Sequence, residues 1–153
     1  MSVFQLDDAL IAELGWQQPR SAIQQVANPA VGGGFTEAMP GTFDTEVLAC
    51  SFRLVTDGNA GSRNVVFQYL DQDAVAMFSV AAPYTQAASK TTDYTFAVDI
   101  QQFGANDAAH IGSPIPKLKL YVGLSVSVSI TTVQVGDQVS RIRLGLARWP
   151  VRP

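Results

Sequence analysis

The sequence predicts an all-β fold: an antiparallel two-sheet sandwich, jelly-roll-like, with an extended N-terminal arm that carries a short helix. Three observations lead there. Between Pro114 and Trp149 the runs PIPKLKLYVG, LSVSVSITTV and SRIRLGLARW alternate apolar and polar residues, the period of a strand with one face buried, and short turn signals divide them. The same period recurs between Glu46 and Asp99. Upstream of Pro40 it gives way to Gly32-Gly33-Gly34 and to Pro19, Pro29 and Pro40. With 153 residues the chain has a one-domain length, able to bury about 70% of its unfolded surface without metal or disulfide staples.

Residues 1–39 read as the arm and 40–153 as the sandwich. Within the arm, Leu6, Leu10, Ile11 and Leu14 share one helical stripe, Asp7 and Asp8 favour a first turn, and Gly15 can end it, so a short helix is expected over about residues 6–14. So short a helix is marginal alone in water. Its stripe, with Phe4 and Trp16 beside it, must dock on this domain or on a neighbouring subunit. The following Gly- and Pro-rich residues deny regular structure and supply a hinge. The alternative is an N-terminal strand folded back on the sandwich, near 23–26 or 34–37.

The sandwich strands follow from period-2 patterning. Glu46 to Val55 sets Leu48, Cys50, Phe52 and Leu54 on one face. The turn cluster TDGNAGSRN follows, then Val65 to Leu70 and Ala74 to Val80, a hairpin joined through Asp71-Gln72-Asp73. Thr91 to Asp99 places Tyr94, Phe96 and Val98 together, and residues 100–113 form a long polar connection. A strand over 117–122, the serine-faced strand Leu124 to Thr131, a turn at Val135-Gly136-Asp137 and a last strand through Ile142, Leu144 and Leu146 complete seven, with an eighth expected in the arm.

Charge is divided along the chain. Residues 1–110 hold four bases against twelve acids, a net −8, and residues 111–153 hold six bases against one acid, a net +5. The bases of the second part stand singly at alternate strand positions rather than clustered with aromatics, which argues against a nucleic-acid footprint and for solvated or intersubunit charge on a sheet face. Cys50, the one cysteine, falls among core positions and reads as a small buried hydrophobe. No run approaches the length of a membrane helix, and the acids near the N-terminus are unlike a signal peptide, so the expectation is a protein that is neither membrane-bound nor secreted by such a signal.

Catalytic chemistry fails on inventory. His110 is the only histidine and lies in the polar connection, with no nucleophile-elbow motif anywhere. Asp71 and Asp73 lack the remaining ligands of a calcium loop and read as an acidic turn. Two of the three glutamates, Glu13 and Glu37, lie in the arm, and the glycine run lacks the lysine of a P-loop. No catalytic residue, cofactor or metal is expected, and the chain is not read as an enzyme. Trp16 and Trp149 are the side chains most suited to be either core plugs or anchors in a partner's pocket.

The ordered pieces Pro40-Gly41-Thr42, Leu54-Val55-Thr56-Asp57 with Ser62-Arg63-Asn64, Gln86-Ala87-Ala88-Ser89 with Tyr94-Thr95-Phe96, and Val135-Gly136-Asp137-Gln138 through Leu144 to Trp149 resemble small all-β virion proteins of tailed bacteriophages. The resemblance spans about residues 40–149. It implies a structural role on the virion, assembled in the host cytoplasm: a capsid decoration or cement protein, trimeric, binding the phage major capsid protein over capsomer junctions. Phe4, Leu10, Ile11, Leu14, Trp16, Arg141, Arg143 and Trp149 are the candidate interface residues. The alternatives are a neck or tail component such as a head-tail connector, and a carbohydrate-binding jelly roll using Tyr84 with Asn106 and Asp107.

Overall fold

The computed structural model describes residues 19–41 and 43–150. The expected helix over 6–14, and with it Phe4, Leu10, Ile11, Leu14 and Trp16, lies outside the described residues. The remainder is all-β: β1 (Arg20–Gln25), β2 (Phe35–Ala38), β3 (Phe43–Val55), β4 (Asn64–Leu70), β5 (Ala76–Ala81), β6 (Thr91–Ala97), β7 (His110–Pro114), β8 (Lys119–Leu120), β9 (Ser125–Thr131) and β10 (Gln138–Pro150). They form two sheets. The first runs β1-β10-β3-β6-β7, with β8 also on β3, and the second runs β2-β9-β4-β5.

Four antiparallel pairs nest within the chain: β4 with β5, β3 with β6, β2 with β9 and β1 with β10. Successive pairs alternate between the sheets. The connections β1–β2, β3–β4, β5–β6 and β9–β10 therefore each pass from one sheet to the other.

The core is the space between the sheets, filled by the positions that alternation marked. Val65, Phe67 and Tyr69 of β4 and Val126 and Val128 of β9 face Cys50, Phe52 and Leu54 of β3, Tyr94 and Phe96 of β6 and Leu144 of β10, all at most 2% exposed. Aromatic rings join the layers: Phe67 stacks on Phe96 with centroids 5.6 Å apart, and Phe35 meets Phe52 edge-on at 5.9 Å. Such pairs add roughly 0.5–1.5 kcal/mol each beyond their buried area.

Four expectations need correction. Residues 20–38 are not a linker: they supply both β1 and β2, where the alternative reading allowed one strand near 23–26 or 34–37, so the sheets cross the expected boundary at 39/40. The prolines do not prevent this, because Pro19, Pro29 and Pro40 all fall outside the strands. β1 is held by its register with β10 from Arg20↔Arg148 to Gln25↔Arg143 rather than by an apolar face of its own. Second, the long connection 100–113 contains the start of β7, which pairs parallel to β6, so the sandwich is not antiparallel throughout. Ile111, Gly112 and Ser113 are all buried, and a strand covered on both faces shows no alternation. Third, the strand expected over 117–122 is reduced to the two residues of β8, and Tyr121 and Val122 are exposed in the turn after it. Fourth, Leu48 does not share the inner face of Cys50, Phe52 and Leu54: a register shift between Gly145 and Leu146 turns Val47, 0% exposed, inward and leaves Leu48 half-buried on the outer side. The last strand sets Ile142, Leu144 and Leu146 inward as expected, and its start is irregular. A bulge between Ser140 and Arg143 sets two residues against one of β3, with Arg141 at φ 55°, so that both Val139 and Ile142 point inward.

Candidate interaction surface

The turn residues Thr56–Asn64, Gln86–Ser89 and Val135–Gln138 converge at one end of the sandwich. Arg63, 0% exposed, uses all five of its N–H groups there. Its Nε and Nη2 donate to the two carboxylate oxygens of Asp137 at 2.8 and 2.9 Å, Nη2 also to Asp57 Oδ1 at 2.8 Å, and Nη1 to the carbonyls of Asn59 and Gly61 at 3.0 and 2.6 Å. Asp137 further accepts from the backbone N–H groups of Asp57 and Gln134. Burial alone would raise the Asp137 carboxyl, but the Arg63 guanidinium and the two N–H groups outweigh it and hold it below the ordinary carboxylate range.

The four cross-sheet connections at this end, β1–β2, β3–β4, β5–β6 and β9–β10, are tied into this knot. The backbone of Arg63 pairs with that of Gln86, whose amide donates to the carbonyls of Leu54 and Lys90. Thr56 bonds Ala87 and Lys90, Gly32 N–H donates to the Asp137 carbonyl, and the Gln138 amide reaches the Pro29 carbonyl. With every guanidinium donor spent, Arg63 has none left to offer a ligand, so the knot is a clamp on the fold. Sequence reading marked Arg63, Gln86 and Asp137 as turn chemistry but not as partners, because their partnership spans up to 74 positions of chain.

The outer face of the first sheet is the surface that the structure leaves open to a partner. Arg141 and Arg143 are exposed there and, among the described residues, have neither a hydrogen bond nor an ion pair. They border a cleft of about 220 Å³ with Ser51, Arg53, Asp93 and Thr95. Within it Arg53 binds Asp93 through two bonds of 2.7 and 2.8 Å, and these hold the Asp93 carboxyl below its usual range. Further along β10, Ile23, Leu48 and Gly145 border a mainly apolar cleft of about 420 Å³. Trp149 stands half-buried at the end of the same strand, with the Lys119 ammonium 4.3 Å from its ring centroid.

The other marked residues serve the fold. His110 is not in a loop: it opens β7, largely exposed, with Nδ1 3.9 Å from Asp93. Asp71 accepts from the N–H groups of Asp73 and Val75, as an acidic hairpin turn requires. The Asn106 and Asp107 side chains are bound to the backbone N–H groups of Thr85 and Ala87, and Tyr84 packs against the core, so the sugar-site set is occupied in holding the β5–β6 connection. Cys50 is buried, and burial pushes its thiol up to about 12.

No family model and no curated protein matches the chain. Among solved structures it is similar to a chain of the T13 particle of infectious bursal disease virus, at 14% identity and TM-score 0.41, over 86% of this chain and 31% of that one. Chains of the Gx and Gt strains of the same virus give 10% and 12% identity with TM-scores of 0.38 and 0.37, over 85% and 86% of this chain and 33% and 31% of theirs. The chain thus spans about a third of the length of these particle proteins, and similarity of this degree assigns it no function.

Proposed function

We propose that the chain is a structural protein of a tailed-bacteriophage particle: a jelly-roll capsid decoration or cement protein that performs no catalysis, binding the major capsid protein over capsomer junctions as a homotrimer. The observation that carries this reading is the nested order of the strand pairs. Eight of the ten strands, four from each sheet, follow a rolled hairpin, the order of the jelly rolls found in viral capsid proteins, lectins and cupins, with β7 and β8 added to the first sheet. The argument is one of fold-level likeness, and two features of the site support it. The turn residues among the motifs behind the bacteriophage resemblance, Asp57, Arg63, Gln86 and Asp137, are spent on the Arg63 clamp, which suits a shell component under mechanical stress. The open outer face offers charge and apolar surface side by side, as an interface does.

The test is binding. Added to phage heads that lack it, the purified protein is expected to co-sediment with them and to raise the temperature at which they rupture. Heads that neither bind nor gain stability would overturn the reading. The mass of the bound species separates the alternatives, a trimer for cement and a larger ring for a neck or tail component.

A further inference from the structure

Two surface features at opposite ends of the molecule match each other. The first is the β4–β5 hairpin. Every residue from Gln72 to Ser79 is exposed, on both faces of the strand. Phe78 pairs with the fully buried Tyr69 and so points to the core side of its sheet, yet it is 45% exposed. The hairpin therefore stands clear of the first sheet. β5 has no charged residue, and Val75 and Met77 are 60% and 48% exposed. An exposed, uncharged, apolar edge is what natural sheets avoid unless something covers it. The other edges are guarded: β1 carries Arg20, β2 is four residues long, and β7 is bridged from outside by Phe103. At the hairpin tip Asp71 is occupied by its own backbone, while Asp73 has no side-chain bond among the described residues.

The second feature is the outer face of the first sheet. Arg141 and Arg143 lie near the start of β10, at the knot end, and the apolar cleft between Ile23 and Leu48 opens beside Gly145, two residues beyond Arg143. Val75 likewise lies two residues beyond Asp73. An acid followed by an apolar strand thus faces a base followed by an apolar cleft. β4 runs from the knot to the hairpin tip, so the two features sit at opposite ends and on different sheets and cannot meet within one chain.

We propose that the β4–β5 hairpin of one copy docks on the outer face of the first sheet of a second copy, with Asp73 against Arg141 and Arg143 and the apolar edge of β5 over the cleft floored by Gly145. The contact is heterologous, joining different patches head to tail, and closes into a ring where the rotation permits. It gives the self-association named above its surfaces and rests on that part of the reading. Because it is measured on the isolated protein, its failure is distinguishable from a failure to bind heads.

The test is sedimentation of the full chain over a range of concentrations, with Arg143→Glu and Asp73→Arg made singly. Both side chains are exposed and without partners among the described residues, so the melting temperature and circular dichroism of each variant should match those of the original chain. Each variant alone is expected to weaken self-association about tenfold or more. The double variant, Asp73→Arg with Arg143→Glu in one chain, in which every head-to-tail contact again joins opposite charges, is expected to recover most of it. An original chain that stays monomeric, single variants that associate undiminished, or a double variant that does not recover would each overturn the proposal.

Discussion

At the scale of single residues the chain contains two bidentate arginine–aspartate pairs in different surroundings. Arg63 and Asp137 both have side chains 0% exposed, whereas Arg53 and Asp93 are 29% and 33% exposed. Removing one partner of a buried pair strands a charge away from water, so Arg63→Leu is expected to cost about 3–5 kcal/mol in chemical denaturation. The surface pair is screened by solvent, and Asp93→Asn is expected to leave the melting temperature nearly unchanged. The pH dependence follows from Asp137, whose carboxyl is held below the ordinary range in the fold. Its stabilisation is complete above the unfolded carboxylate value of about 3.9 and is lost as pH falls through the lower folded value. Acid titration of stability is therefore expected to show a drop below about pH 4 that Asp137→Asn, already destabilised at neutral pH, largely lacks. Cys50 should resist thiol reagents until the chain unfolds globally, and labelling of the native protein at the rate of a free thiol would contradict its placement.

At the scale of elements, two glycines beside or within strands distinguish a tight contact from an open one. A Cβ on Gly34, the residue before β2, would lie 1.9 Å from the Val128 carbonyl oxygen, a backbone atom with no room to yield. Gly34→Ala is expected to cost about 1–3 kcal/mol or more, whereas Gly145→Ala, whose nearest neighbour is Ala49 Cβ at 3.6 Å, should be tolerated. Thermal melts of the two variants test this directly. The strands most legible in the sequence were those with one face in the core: β3, β4, β6, β9 and β10 each expose the alternation that burial imposes, and β5 was legible as the return of a hairpin. The less legible strands have physical reasons. β1 is polar and depends on β10, and β2 is short, so the sequence offered one strand near 23–26 or 34–37 where both exist; β7, covered on both faces, gave no signal. Arg141 and Arg143 could be placed on an outer face by period alone, but the bulge that separates them and the clefts beside them are tertiary. The clamp was half visible: its residues stood out as turn chemistry, and only the fold brings Arg63 to Asp137.

At the scale of the whole molecule, nested strand pairs bring four of the six cross-sheet connections to one end, where the Arg63 knot ties them together. The opposite end presents the hairpin and the exposed Tyr121 and Val122. A body so divided has a fixed end and an adhesive end, which suits a subunit that joins copies of itself over a larger surface. The proposed cement role gives residues 1–16 a function to test, contact with the neighbouring capsid subunit. Their deletion is expected to leave the melting temperature of the sandwich nearly intact and to weaken binding to heads, and undiminished binding by the truncated protein would remove that role. Electron microscopy of the intact particle decides the cement role. Density for the sandwich is expected at symmetric positions over capsomer junctions across the head, and density confined to the neck or tail, or no copy on the particle, would rule that role out.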